Sequence, residues 1–324
     1  MRVGVVGAGG MGSVHARKYA LMDDVDLYAF DRNQEKLDNY CTQFGATGAK
    51  SLEALIETVD AVDVCTPTDS HFEIAIAAVR AGKPVLVEKP MCRTVQECRD
   101  LIDAAKTAGV GLMPGQVVRY FGDFEAVHKA VKAGKVGKPA VVRSRRGGRA
   151  ARGSDLWFQD HERSGGVLLD LAVHDFDWLT WTFGDVKTVH SRTICLGDRV
   201  EGAEFEGDYA LTTLTFASGC IAHVETTWMD PTGFRATIEV CGSEGMIEHD
   251  TRNAATLRIH TADGSRQEAN LAPSDDPFFR QLRAFVDAVE KGGAMPVDPE
   301  DGLRAVEIAW KAIESAKTGR AIAL

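Results

Sequence analysis

The 324-residue chain is 44% hydrophobic and 26% charged, the make-up of a folded globular protein, and its length favours two domains over a single core. A formal net charge of -10 argues against nucleic acid as a partner, because phosphate binding draws on an excess of Lys and Arg. No apolar run reaches the roughly 18 residues that span a bilayer, so no membrane role is expected.

The chain opens on an apolar strand, Val3 to Val6, with neither a signal-like apolar core nor a small-residue cleavage site, which favours the cytoplasm. Gly7-Ala8-Gly9-Gly10-Met11-Gly12 follows at once and fits Gly-x-Gly-x-x-Gly between a strand and a helix. Gly7 permits the tight turn, Gly9 lets the backbone approach a pyrophosphate, and Gly12 brings helix and strand together. Backbone N–H groups around Gly10 and Met11 are then placed to receive the anion. Asp31 ends the next strand, Val25 to Phe30, roughly 20 residues past the last glycine, where a carboxylate accepts bonds from ribose hydroxyls and repels a 2'-phosphate. NAD is therefore expected over NADP. Arg32 has three readings: stacking on adenine, attracting the extra phosphate, or a plain turn cation.

Further apolar runs at Ala61 to Cys65, Pro84 to Val87 and Val110 to Met113 alternate with helix-period segments. Such alternation predicts a doubly wound parallel sheet of Rossmann type over residues 1–120. Thr94 and Glu97 form a capping box for a helix that runs to Ala108 and stops at Gly109. Lys89 emerges from a buried strand at the carboxyl edge of the sheet, where open α/β folds bind ligands; an ordinary strand-end lysine would snorkel to water instead.

Beyond residue 120 the pattern changes. Helices are expected at Asp123 to Ala133 and Val167 to Phe183, then short alternating strands at Tyr209 to Phe216, Cys220 to Thr227 and Thr237 to Cys241, then helices at Phe278 to Glu290 and Pro299 to Lys317. Residues 121–324 are thus expected to form a mostly antiparallel open sheet with helices on one face, an α+β domain for substrate binding and oligomerisation. The basic cluster from Arg143 to Arg152 reads as a solvated strand edge and loop. Asp170 and His174 lie four apart on one helix face, so the carboxylate can orient the imidazole for proton exchange near neutral pH. A first-turn helix charge and a hydrogen-bonded core histidine are the competing readings. The seven cysteines are scattered without a Cys-x-x-Cys pair and read as reduced core residues; no metal is expected.

The combination resembles the Gfo/Idh/MocA family of glucose-fructose and inositol-type oxidoreductases along essentially the whole chain. The matching segments are Gly7 to Gly12, Thr66-Pro67-Thr68-Asp69-Ser70-His71, Glu88-Lys89-Pro90, Arg119-Tyr120-Phe121, and Gly165-Gly166 leading to Asp170 and His174. Asp301-Gly302-Leu303 and Ser315-Ala316-Lys317-Thr318-Gly319 continue the likeness into the tail. The resemblance implies that Thr66, Pro67, His71, Glu88, Lys89 and Gln116 border the nicotinamide half of the cofactor. It implies that Lys89 and His174 contact the reacting hydroxyl, with Asp170 as a further substrate contact. His71 has a second reading as the start of a helix, and His15 is left outside the site.

Substrate contacts are expected from Arg119, Arg152, Trp157 and His161, although Trp157 can equally be core and Arg152 surface charge. The implied activity is hydride transfer between a CH–OH group of a cyclic polyol or sugar and the cofactor, in a homodimer or homotetramer. The alternatives are an NAD-retaining glycosidase that uses transient oxidation and a cofactor-sensing regulator without chemistry.

Overall fold

The computed structural model describes residues 1–149, 157, 160–195, 208–253, 257–261, 264, 266–269 and 276–324. The chain forms two compact units, Met1–Val117 with Asp275–Leu303, and Val118–Ser274 with Arg304–Leu324. The chain thus returns to the first unit near its end, where the sequence pattern suggested a single division at residue 120.

The first unit begins with β1 (Arg2–Val6), α1 (Gly10–Tyr19), β2 (Asp26–Phe30), α2 (Gln34–Phe44), β3 (Thr47–Gly48) and α3 (Leu52–Thr58). It continues with β4 (Ala61–Val64), α4 (His71–Arg80), β5 (Val85–Glu88), α5 (Val95–Ala108) and β6 (Leu112–Gly115). Among the described residues these strands make one six-stranded sheet, ordered β3-β2-β1-β4-β5-β6, parallel throughout. The order reverses between β1 and β4, which opens a crevice at the carboxyl edge. Strands β4 and β5 are buried along their whole length, as a sheet covered on both faces requires. The Thr94–Glu97 capping box and the left-handed Gly109 stop of α5 are both present. Two-residue β3 has no apolar run behind it, and the sequence offered no signal for it.

The second unit contains α6 (Gly122–Lys132), β7 (Pro139–Gly147), α7 (His161–Ser164), a π-helical turn at Val167–Leu171, α8 (Val173–Phe183), β8 (Val186–Ile194) and β9 (Tyr209–Phe216). Strands β10 (Ile221–Thr227), β11 (Arg235–Gly242), β12 (Gly245–Asp250), β13 (Leu257–Thr261) and β14 (Arg266–Ala269) follow. Helix α9 (Pro277–Lys291) belongs to the first unit and packs on α1, tied by Lys18–Asp276 and Arg283–Asp24 ion pairs of 2.7 Å each. Helix α10 (Pro299–Thr318) and β15 (Ile322–Ala323) close the chain. Among the described residues the second sheet has nine strands, ordered β14-β13-β12-β11-β7-β10-β9-β8-β15. It is antiparallel except for the β7–β10 pair. Ala210, Leu214, Ala222, Val224, Ile238 and Val240 are buried on one face, while Ile194, Leu211 and Ile221 are exposed.

Two expectations need correction. The segment Val167 to Phe183 is not one regular α-helix: Ala172 donates its N–H to Val167 five residues back, so the helix enters through a wide π turn. The basic run is not a strand edge, because β7 lies between β10 and β11 near the middle of the sheet. Period-two alternation splits its charges. Arg143 pairs with Glu239 and Arg145 with Glu225 and Asp230, whereas Arg146 turns inward and binds Asp175 on α8, Nε to Oδ2 at 2.7 Å. Asp175 also accepts from Ser144, so the buried carboxylate anchors α8 to the centre of the sheet.

Asp175→Ala would leave the Arg146 guanidinium buried without its counter-charge, which costs about 3–5 kcal/mol. The urea-unfolding midpoint should fall accordingly, and Arg146→Met added to Asp175→Leu should restore much of it. An unchanged midpoint in Asp175→Ala would show that the pair does not hold α8.

Candidate functional site

The first half of the site lies at the carboxyl edge of the six-stranded sheet. Parallel register sets Val6 beside Val64, Val64 beside Val87, and Val87 beside Pro114, so the glycine turn, Thr66, Lys89 and Gln116 all follow from the same edge. Gly7 has φ +105 and lies so close to the Cys65–Thr66 backbone that a Cβ there would meet it at 3.0 Å. A Cβ on Gly12 would come within 1.9 Å of the Gly7 carbonyl oxygen, which is the close helix–strand approach expected of the third glycine. Gly9 and Gly10 are exposed and face open space, and the first turn of α1 has neither an acidic side chain nor a side-chain cap. Its N-terminal N–H groups are therefore available to an anion.

Asp31 does more than the sequence implied. One carboxylate oxygen accepts the Ala8 N–H and the other the Asn33 N–H, each at 2.8 Å, so the side chain braces the glycine turn against the end of β2. Its remaining lone pairs are what a ribose diol can use. Arg32 is exposed just beyond.

Around Lys89 the edge is polar and buried. Glu88 and Gln116 are 4% and 1% exposed. Thr66 Oγ1 and both amide atoms of Gln116 are buried without a hydrogen-bond partner among the described residues. Native proteins leave few such groups, because each costs roughly 1–3 kcal/mol unsatisfied. A carboxamide-bearing ring with ribose hydroxyls supplies the donors and acceptors these atoms lack, so the residues present fit a nicotinamide nucleotide. Lys89 itself is half-buried.

His71 starts α4, as its second reading held, and its side chain is fully engaged with backbone. Nδ1 lies 2.9 Å from the Pro90 carbonyl and Nε2 2.8 Å from that of Thr66. It thus staples the segment after β4 to the segment after Lys89. Pro67 precedes a short 3-10 turn and accepts a bond from Ser70.

Asp170, His174, Arg119, Trp157 and His161 belong to the second unit. Asp170 is buried on the π turn, and His174 is half-buried on α8. Gly165 and Gly166 both have positive φ, and a Cβ on Gly166 would fall 2.2 Å from His161 Nε2, so the glycine pair lets the His161 ring pack against the backbone that leads to Asp170. Trp157 is half-buried in a turn. Arg119 is ion-paired: its guanidinium binds Asp177 through two bonds of 2.8 and 2.6 Å and lies over the Trp181 ring. That pairing engages Nε and one terminal nitrogen of the guanidinium. Arg152 lies outside the described residues.

Sequence reasoning passed over His15, which proves fully buried and ionically paired. A signal was present in Val62-Asp63-Val64, because a carboxylate inside an apolar strand must find a partner.

Sheet order, glycine turn and unsatisfied edge together define a dinucleotide-dependent enzyme with a separate α+β unit. Residues 1–116 match the family model described as oxidoreductase family, NAD-binding Rossmann fold, and residues 128–324 match its C-terminal alpha/beta domain; the chain belongs to the Gfo/Idh/MocA oxidoreductase family. It is 32% identical over 334 residues to myo-inositol 2-dehydrogenase of Thermotoga maritima, covering 100% of this chain and 98% of that protein. It is 32% identical over 302 residues to 1,5-anhydro-D-fructose reductase of Ensifer adhaerens, covering 87% and 86%. Among solved structures it is similar to GenD2 from gentamicin A biosynthesis in complex with NAD, with a TM-score of 0.88 and 29% identity over 100% of this chain and 96% of that one.

Burial holds the His71 imidazole below its ordinary range, against the pull of the two carbonyls. The unfolded chain therefore binds the proton at a higher pH than the folded one, and acidification from pH 7 toward pH 5 removes stability. His71→Gln should weaken this loss, read as the difference in urea-unfolding free energy between the two pH values. Identical pH dependence in both proteins would contradict it.

Proposed function

We propose that the protein is an NAD-dependent oxidoreductase that oxidises a CH–OH group of a cyclic polyol or sugar, or reduces the corresponding carbonyl. The buried, unpartnered polar atoms of Thr66 and Gln116, at the sheet edge that bears Lys89, carry this reading. The first unit binds the cofactor: Gly7, Gly9, Gly10, Met11 and Gly12 cradle the pyrophosphate, and Asp31 receives the adenosine ribose. The negative charge of Asp31 favours NAD over NADP, with Arg32 as an exposed neighbour. Thr66, Pro67, His71, Glu88 and Gln116 border the nicotinamide half, His71 by fixing backbone.

The second unit supplies Asp170 and His174, with Trp157 and His161 as further substrate contacts. NAD held by the first unit would supply the acceptor for the hydride of the carbinol carbon. Lys89 and His174 hold the reacting hydroxyl, and one of them accepts its proton as the C–O bond becomes a carbonyl. Asp170, four residues before His174 on the same stretch of helix, orients its imidazole.

The relatives above are named as a dehydrogenase and a reductase, so neither the NAD-retaining glycosidase nor the regulator is favoured. We also propose a cytoplasmic location, which suits the buried thiols of Cys65, Cys92, Cys98 and Cys220. No helix among the described residues is long and apolar enough to cross a membrane. The exposed sheet face bearing Ile194, Leu211 and Ile221 is the proposed homodimer or homotetramer surface.

Lys89→Met and His174→Ala should each lower kcat by at least about 100-fold while NADH binding stays nearly constant. Turnover close to wild type in either would sink the assignment. Substrate class is read from a panel of inositols, aldoses and anhydrosugars, assayed for reduced-cofactor absorbance with NAD and with NADP. Silence across the whole panel would overturn the polyol or sugar reading.

A further inference from the structure

A buried ionic cluster lies beneath the carboxyl edge of the six-stranded sheet, and the proposed reaction makes no use of it. His15, on α1 three residues after Gly12, is 0% exposed. Its Nδ1 is 2.8 Å from Asp63 Oδ2 on β4, and its Nε2 is 3.2 Å from Glu88 Oε1 at the end of β5. The second contact is off the hydrogen-bond line and acts as an ion pair. Asp63 also accepts the Tyr19 hydroxyl at 3.0 Å and the Cys65 thiol at 3.4 Å. Burial raises both the phenol and the thiol, so each stays protonated and donates.

A ring with a carboxylate at each nitrogen has little choice of state. A neutral imidazole would turn a lone pair on one of them, so both nitrogens carry protons. Burial opposes that charge, but the Asp63 carboxylate against Nδ1 overcomes it and holds the imidazole above its ordinary range. On the other side of the pair, Glu88 Oε2 accepts the backbone N–H of Lys89 at 3.1 Å. Glu88 fits there because β6 has Gly115 opposite, where a Cβ would lie 3.1 Å from Oε1. A carboxylate so enclosed needs a cation, and among the described residues the His15 ring is in contact with it.

We propose that His15, steadied by Asp63, is a positioning residue: its cationic ring anchors the Glu88 carboxylate and so fixes the backbone of Lys89 against the cofactor helix α1. His15 touches neither substrate nor cofactor in this role. The inference rests on the reading that Lys89 works on the substrate hydroxyl. A metal at this place is the competing use, because among the described residues His15, Asp63 and Cys65 are the group whose ligand atoms all lie within 4.8 Å of one another. The 2.8 Å hydrogen bond between Nδ1 and Oδ2 is tighter than two ligands arranged tetrahedrally at about 2.0–2.2 Å around zinc would permit.

The test combines spectroscopy with kinetics on the full chain. In nitrogen-15 spectra of histidine-labelled protein at pH 8, the signal that disappears in His15→Gln should report a ring protonated on both nitrogens. His15→Gln should lose about tenfold or more in kcat with less than about threefold change in the KM for NAD. Glu88→Gln, whatever it does to the KM for NAD, should lose at least as much kcat, and the double variant should be no worse in kcat than the weaker single, because both act through one contact. Should His15→Gln fold poorly, Asp63→Asn replaces it and should show the same loss confined to kcat together with a ring that deprotonates more easily. A neutral His15 at pH 8, kcat within about twofold of wild type, losses that multiply in the double variant, or a stoichiometric metal lost on His15→Gln would each overturn the proposal. An active Lys89→Met would instead remove the underlying reading, whereas an inactive Lys89→Met beside a fully active His15→Gln removes this inference alone.

Discussion

Level strand ends are the constraint on which everything else depends. In the parallel ladder Val6 pairs with Val64, Val64 with Val87 and Val87 with Pro114, so the segments that follow these four strands leave the sheet at the same edge. Residues spread from Gly7 to Gln116 are brought to that one edge because main-chain hydrogen bonds fix the register, and a slip of one residue would turn every side chain to the opposite face. The glycine turn takes its shape from the same ladder. Gly7 lies against the Cys65–Thr66 backbone, and Gly12 against the Gly7 carbonyl, approaches that any side chain would prevent.

Buried charge is the second organising feature. His15 with Asp63 and Glu88 in the first unit, and Arg146 with Asp175 and Arg119 with Asp177 in the second, are all nearly or wholly withdrawn from water. Such pairs add little net stability, because desolvation offsets most of their attraction. Their effect is directional: a charge that has one acceptable partner holds its element in one place. Asp175 ties α8, which carries His174, to the central strand β7, and Glu88 ties the backbone of Lys89 to α1. Unmatched buried polar atoms on Thr66 and Gln116 lie at the ligand-binding edge.

Much of this was legible in the residues. The alternation of apolar runs and capped helices marked the parallel sheet, and the spacing of Gly7, Gly9, Gly12 and Asp31 marked its ligand edge. Where reading failed, the reason was three-dimensional. The run from Arg143 looked like a solvated edge because charge usually is solvated, and only pairing with β10 and β11 shows that every second residue is enclosed. Nothing in the residues around Arg119 announced that Asp177, 58 residues away, would bind its guanidinium. The π turn before α8 left no trace, since its residues, Val167 to Leu171, suit an α-helix equally well.

By itself, then, the sequence determined which elements form and which chemical groups stand at their ends, because periodicity, caps and glycine spacing are local properties. Which charged side chains are locked into the framework was decided only by tertiary structure. In the sequence His15, Asp63, Arg119 and Arg146 look no different from residues at the surface. Burial and a counter-charge within reach set them apart, and those quantities exist only once the chain is folded.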